Sequence, residues 1–254
     1  MQLDIEVDLD GTLIPGDAAL LMIEMASGAG QRVVTSDLAV SQGMLKRLDG
    51  TAMVWVDAPE GALSLRYRAT VEMSGPAAAL DQLASAPLQA LPGEVLPYLR
   101  PSRYCQADLF TDFTEQQFGT LDGGLKIQAI RNWIAEHVTY TSGSSDGATT
   151  AVETFAALKG VCRDFAHLTC TLARASGIPA RYVSVYGADV APQDFHAIAE
   201  VWLDGGWHPV DATDMGAPHE MAVIATGRDA ADTAFMETAG WASLTRQNVR
   251  VRRV

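Results

Sequence analysis

The chain has 254 residues, 48% of them hydrophobic and 19% charged, which suffices for one large soluble domain or two small ones. A formal net charge of −13 argues against a nucleic-acid or anionic-membrane partner, because both reward positive charge. No stretch approaches the roughly 18 consecutive apolar residues of a membrane span, and the acidic start "MQLDIEVDLD" lacks the pattern of a signal peptide.

From residue 1 to about 90 the chain reads as strands and turns. "LDIEVDLD" alternates apolar and acidic residues, so Leu3, Ile5, Val7 and Leu9 share one face and Asp4, Glu6, Asp8 and Asp10 the other, wet one. The same stretch, ending in Asp-x-Asp-Gly-Thr, resembles the nucleophile motif of haloacid-dehalogenase-like phosphatases. That motif needs a strand buried on both faces, which reads as a continuous apolar run and does not alternate. Leu-Asp-Gly also recurs at 48–50, 121–123 and 203–205, as expected of a favoured turn. Asp229 and Asp232 imitate the later acids of such enzymes, but the nearest preceding lysine is the distant Lys159. The phosphatase reading is therefore set aside. "RVVTSDLAV", "TAMVWVDA" and "LSLRYRATVEM" add β-branched or aromatic strands, giving an antiparallel β-domain, a sandwich, over 1–90.

Residues 86–102 carry four prolines and read as a linker or surface strap. Beyond it the period changes. "GLKIQAIRNWIAEHV" sets Ile127, Ile130, Ile134 and Val138 on one helical face. "TTAVETFAALKG" is a second helix with Gly160 suited to its left-handed cap. "CRDFAHLTCTLARASGIP" is a third, stopped by Gly177 and Pro179. "ARYVSVYG", "HAIAEVWL" and "WHPVDA" follow as strands, the last two joined by an Asp-Gly-Gly hairpin turn. The whole reads as α+β, with 91–254 as a second unit.

The chemistry concentrates in that unit. Cys162 opens a helix, where the macrodipole and free N–H groups favour a thiolate. His196 opens a strand 34 residues later, and Asp211 lies on the next strand, 15 residues further. A hairpin makes the last two neighbours, so Asp211 can accept from one imidazole nitrogen while the other faces Cys162. The Cys162 backbone N–H would point at an oxyanion formed at that sulfur; a second donor is sought in "YTSGSS" (140–145) without a single residue standing out.

"GVCRDFAHL", "GIPARYVS", "HAIAEVWL" and "VDAT" together resemble the core of the bacterial transglutaminase-like superfamily, papain-related cysteine acyl-transfer enzymes. The likeness covers about residues 95–215 well and 1–90 only in general character. It implies a papain-like, transglutaminase-core fold after the β-domain, with Cys162 as nucleophile, His196 as base and acid, and Asp211 as orienting carboxylate. It further implies acyl transfer on a peptide or protein amide, by hydrolysis, with no metal and no organic cofactor. Transglutaminase crosslinking, or a binding module on an inactive core, are the alternatives. Two departures stand out: Ile198 replaces an aromatic residue, and Asp-Ala-Thr (211–213) replaces Asp-Pro-Thr.

The remaining reactive side chains have plainer readings. The three cysteines (Cys105, Cys162, Cys170) are too few for a disulfide framework, and Cys162 and Cys170 on one helix would stand about 12 Å apart. A cytoplasmic setting fits them best. Cys105 and Cys170 read as core residues. His167, five residues past Cys162, faces elsewhere and is expected buried and hydrogen-bonded. Asp164 should point away from the thiol, and Asp214, the rival to Asp211, should lie in a turn. A zinc site from Cys162, His167, Cys170 and His196 lacks ligand pairs at useful spacing. "GRDAADTAF" reads as a surface segment, and "RQNVRVRRV" as a terminal edge strand whose arginines neutralise nearby acids.

Overall fold

The computed structural model describes residues 1–28, 30–48, 52–75 and 78–254. Its strands are β1 (Gln2–Leu13), β2 (Asp17–Leu21), β3 (Gln31–Gln42), β4 (Met44–Arg47), β5 (Val54–Ala58), β6 (Ala62–Met73), β7 (Thr139–Tyr140), β8 (Lys159–Gly160), β9 (Ala180–Tyr186), β10 (His196–Leu203), β11 (Gly206–Val210), β12 (Ala222–Gly227), β13 (Met236–Thr238) and β14 (Ala242–Arg253). Its α-helices are α1 (Thr111–Phe118), α2 (Gly123–His137), α3 (Ala151–Ala157) and α4 (Cys162–Ala175). The α+β expectation holds, with antiparallel sheets throughout except for the short parallel pair β7–β8.

The N-terminal strands make two four-stranded sheets, ordered β14-β1-β6-β3 and β13-β2-β5-β4. Leu3, Ile5, Val7 and Leu9 of β1 enter one core with Ala19 and Leu21 of β2 and Val54 and Val56 of β5, so both sheets bury their apolar faces together. One sequence boundary needs correction. Residues 91–254 do not form one unit, because β13 pairs with β2 and β14 returns along the whole of β1. The arginine-rich tail is an edge strand, as its charge pattern predicts, with Arg246 on Asp8 and Asp10 and Arg252 on Glu6.

The acidic face of β1 is less wet than alternation alone implies. Asp8 is only 7% exposed and receives Arg68 Nη2 at 2.9 Å, Arg66 Nε at 3.2 Å and Arg246 Nη2 at 3.2 Å. Partial burial works to raise its pKa, but Arg68, Asn248 and Arg66 together hold it below the usual 3.8. A depressed folded-state pKa contributes stability that is present above the ordinary carboxylate range and lost as the pH falls through the lower value. Asp8→Asn is therefore expected to cost about 1 kcal/mol at pH 7, discounted for the exposure of the arginines. The cost should shrink at the acid end of the range. An unchanged urea midpoint at pH 7 would remove the cluster from the stability account.

The Asp-Gly pairs are not all turns. Asp10 and Gly11 lie inside β1 at a bulge, where a Cβ on Gly11 would meet the Ser243 carbonyl oxygen at 2.7 Å. Asp122 is the residue just before α2, and its carboxylate accepts the Ser85 hydroxyl at 2.8 Å. Asp204 and Gly205 do form the β10–β11 hairpin turn, with φ of 47° and 75°. Asp49-Gly50 falls outside the described residues.

In the second body, α4 packs on β9 and β10 of a sheet ordered β11-β10-β9-β12. Ile127, Ile130, Ile134 and Val138 reach the core shared with Leu168 and Leu172 of α4. The proline-rich segment forms short 3-10 turns at Leu88–Ala90 and Leu96–Leu99. Helix α3 closes on a left-handed Leu158 (φ 51°) and not on Gly160, which instead sits in β8 facing Tyr140.

Candidate active site

Cys162 is the first residue of α4 because the chain arrives extended at Val161. Asp164 is fully buried and turns back to close this start: one carboxylate oxygen accepts the Val161 N–H at 2.8 Å and the Ser145 hydroxyl, and the other accepts Arg163 Nη2 at 3.0 Å. A Cβ on Gly160 would stand 2.6 Å from the Asp164 Cβ, so glycine is what lets this carboxylate in. The charge is thereby spent on the backbone and Arg163, away from the thiol.

His196, at the start of β10, and Asp211, just beyond β11, are both buried. The last register pair is Ala199 with Val210, so Asp211, the next residue, leaves the sheet beside the first residues of β10, within reach of His196. His196 Nε2–H donates to Asp211 Oδ2 at 3.0 Å, which leaves Nδ1 for Cys162. Thr213 fixes the carboxylate, its N–H and hydroxyl each donating to Asp211 Oδ1 at 2.8 Å. Arg131 Nε holds the Asp211 carbonyl at 3.1 Å and its guanidinium pairs with Asp214. Asp214 thus anchors the loop and is not the partner of His196. Alanine in place of the proline at 212 leaves this arrangement intact.

The electrostatics of the histidine follow from these contacts. Burial works to lower its pKa, yet the hydrogen bonds to Asp211 and Cys162, and the charges behind them, carry it to about 9. At neutral pH the imidazole keeps its proton. Tyr140 lies on the other side of Cys162, placed by the β7–β8 pairing opposite Gly160 and by its ring against Phe165, centroids 5.9 Å apart. Its hydroxyl lies near the Cys162 backbone and thiol; burial first, then the Cys162 charge, raise its pKa to about 12. The sequence pointed to 140–145 but not to Tyr140, because a two-residue strand has no period to read.

A cleft of about 400 Å³ opens on Cys162 and His196. The segment 227–235, expected to be plain surface, is one of its walls: Ala230, Thr233, Ala234 and Phe235 line it. His167 secures this wall. It is fully buried between Tyr104 (centroids 4.9 Å) and Tyr182 (5.0 Å), its Nε2 accepts the Ala230 N–H at 3.1 Å, and burial keeps its pKa well below 6.5. The Asp229 carboxylate adds the N–H groups of Tyr104 (2.9 Å) and Ala231 (3.0 Å). Neither Asp229 nor Asp232, which pairs with Arg228, serves a phosphatase-like site.

Cys105 and Cys170 are buried side by side, and burial pushes the Cys170 thiol well up. Cys170 is therefore turned into the core, and among the described residues no cluster of three His, Cys, Asp or Glu side chains is arranged to hold a metal ion. Ile198 does not line the cleft; it packs with Val183, Val185 and Met221 in a separate apolar cluster. Among the described residues, no helix is long and apolar enough to cross a membrane.

The model of the Transglutaminase-like superfamily matches residues 112–212. A crystal structure from Cytophaga hutchinsonii, provisionally described as a cysteine protease, is 33% identical and superposes with a TM-score of 0.93 over 99% of this chain and 90% of its own. Uncharacterised proteins of Mycobacterium leprae and Mycobacterium bovis are 30% identical over 117 residues and 37% over 109. These matches take in 42% and 37% of this chain, and 42% and 35% of the two relatives. The chain thus spans less than half the length of these curated relatives.

Proposed function

The chain belongs to the transglutaminase-like superfamily, and on that premise we propose that it is a cysteine peptidase or amidase working through a thioester at Cys162. The observation that carries this reading is the buried His196–Asp211 hydrogen bond in a cleft that His196 lines together with Cys162, a cysteine at a helix start. The Cys162 sulfur attacks the amide carbonyl carbon as His196 takes the thiol proton. The C–N bond breaks as the imidazolium gives its proton to the leaving amine. Water then adds to the thioester while His196 takes its proton, and the C–S bond breaks to return the thiolate and a carboxylic acid. Asp211 holds the Nε2–H throughout and stabilises the imidazolium.

The tetrahedral oxygen would be met by the Cys162 N–H and the Tyr140 hydroxyl. The phenol lies near that N–H, where its O–H is placed to serve an arriving carbonyl as a second donor. Tyr140→Phe is expected to lower kcat by about 10²-fold with a smaller change in KM. Equal losses in kcat and KM discrimination, or none, would take Tyr140 out of the oxyanion site.

Incubation with a peptide mixture in ¹⁸O-water, with and without a fluorescent primary amine, tests the reaction class. Hydrolysis places ¹⁸O in the new carboxylate and leaves the amine free. Predominant amine adducts would replace hydrolysis by transamidation, since the two differ only in how well the thioester excludes water.

A further inference from the structure

The cleft at Cys162 is built from both bodies of the molecule. Strand β9 supplies Tyr182 and Ser184, and the approach to β10 supplies Asp194 and Phe195. Met236 of β13 and Gln247 of β14, from the two N-terminal sheets, complete the outer side. The N-terminal strands are therefore part of the recognition surface and not only an appendage.

Two features of that surface select a ligand. Phe195 and Phe235 stack with centroids 4.6 Å apart and an interplanar angle of 14°; both are half-buried, so their stack leaves apolar area facing the cleft beside Met236 and Ala234. At its mouth stands Asp194. Its Oδ1 accepts the Phe195 N–H at 2.8 Å and Gln247 Nε2 at 2.6 Å, which aims the carboxylate, while Oδ2 makes none of the described hydrogen bonds or ion pairs. The cation nearby, Arg163, is already committed to Asp164 and the Asp146 carbonyl. The charge left to a ligand is negative, in a chain whose formal net charge is −13. A cleft of about 400 Å³ holds a segment of about two residues, not a folded surface.

We infer that this cleft takes a peptide segment presenting a bulky apolar side chain to Phe195, Phe235 and Met236 and, next to it, a basic group to Asp194, so that the enzyme acts beside apolar–basic pairs. This selectivity rests on the peptidase reading above. Burying a leucine- or phenylalanine-sized side chain favours its peptide over the glycine analogue by about 30-fold or more in kcat/KM. The rim carboxylate favours lysine over norleucine by about 5-fold.

The test is a set of soluble peptides differing only at those two positions (Phe, Leu or Gly; Lys, norleucine or Glu), digested by the whole chain and read by mass spectrometry. Cleavage should concentrate at Phe-Lys and Leu-Lys. Asp194→Lys should invert the order of lysine and glutamate peptides, a gain that misfolding cannot imitate, and Phe235→Ala should shrink the Phe-over-Gly ratio about 10-fold. Cleavage indifferent to both positions, or an order unchanged in Asp194→Lys, overturns the assignment while leaving the chemistry at Cys162 standing. No cleavage anywhere in the set overturns the peptidase reading and this assignment with it.

Discussion

Replacing Cys162 by alanine is expected to abolish amide turnover, by on the order of 10⁴-fold or more, while the fold survives. The first half follows from the place of the other thiols: Cys105 and Cys170 are buried together in the core. The second half follows from the position of the side chain. Cys162 is half-buried at a helix start that is closed by Asp164, Ser145 and the Val161 N–H, none of which the thiol serves. The same variant carries an electrostatic signature. Cys162 is one of the groups that raise the His196 pKa to about 9, so its removal should bring that value down while Asp211 still holds it up. Imidazole proton shifts followed against pH would show this. Retained turnover in Cys162→Ala would end the thioester mechanism.

Asp211→Ala should cost nearly as much activity, on the order of 10³- to 10⁴-fold, because the imidazole loses the acceptor that fixes Nε2–H and points Nδ1 at the sulfur. It should also change the pH dependence of stability. The folded-state pKa of His196 lies near 9, above its ordinary value of 6.5. Its contribution is thus complete below about pH 6.5 and is lost as the pH rises towards 9. Without Asp211 the desolvation of the imidazole is less opposed and the folded pKa falls, so the decline that starts near pH 6.5 becomes smaller and ends at lower pH. Urea unfolding of both proteins between pH 6 and 9 would reveal the shift. Superimposable profiles would mean that the carboxylate does not support the imidazolium.

The parts of the molecule legible in the sequence are those whose signal is local. The period of two in β1, the 3.6 period of α2 and the Asp204–Gly205 turn each lie within one short window, and the structure has them there. The places of Cys162, His196 and Asp211 in the fold were readable for a related reason, since a helix start and a two-strand hairpin set them almost without the rest of the chain; their roles remain a proposal. What was hidden depends on partners far away in sequence. Asp8 looks solvated until Arg66, Arg68 and Arg246 are brought over it. The return of β14 along β1 joins residues some 240 positions apart, and no window contains both. The wall at 227–235 has no periodic pattern at all; it is held by one buried imidazole nitrogen and one carboxylate. The left-handed end of α3 went to Leu158 because Gly160 was needed where Asp164 packs.

The most direct test of the central claim is the alkylation of each cysteine by iodoacetamide at pH 7, resolved by peptide mass spectrometry, in the unaltered chain and in His196→Ala. Cys162 should react far faster than Cys105 and Cys170, and its rate should fall at least about 10-fold when the imidazole is removed, since the nucleophile is the thiolate that the imidazolium favours. A slow Cys162, or a rate indifferent to His196, would contradict an active site built on this pair.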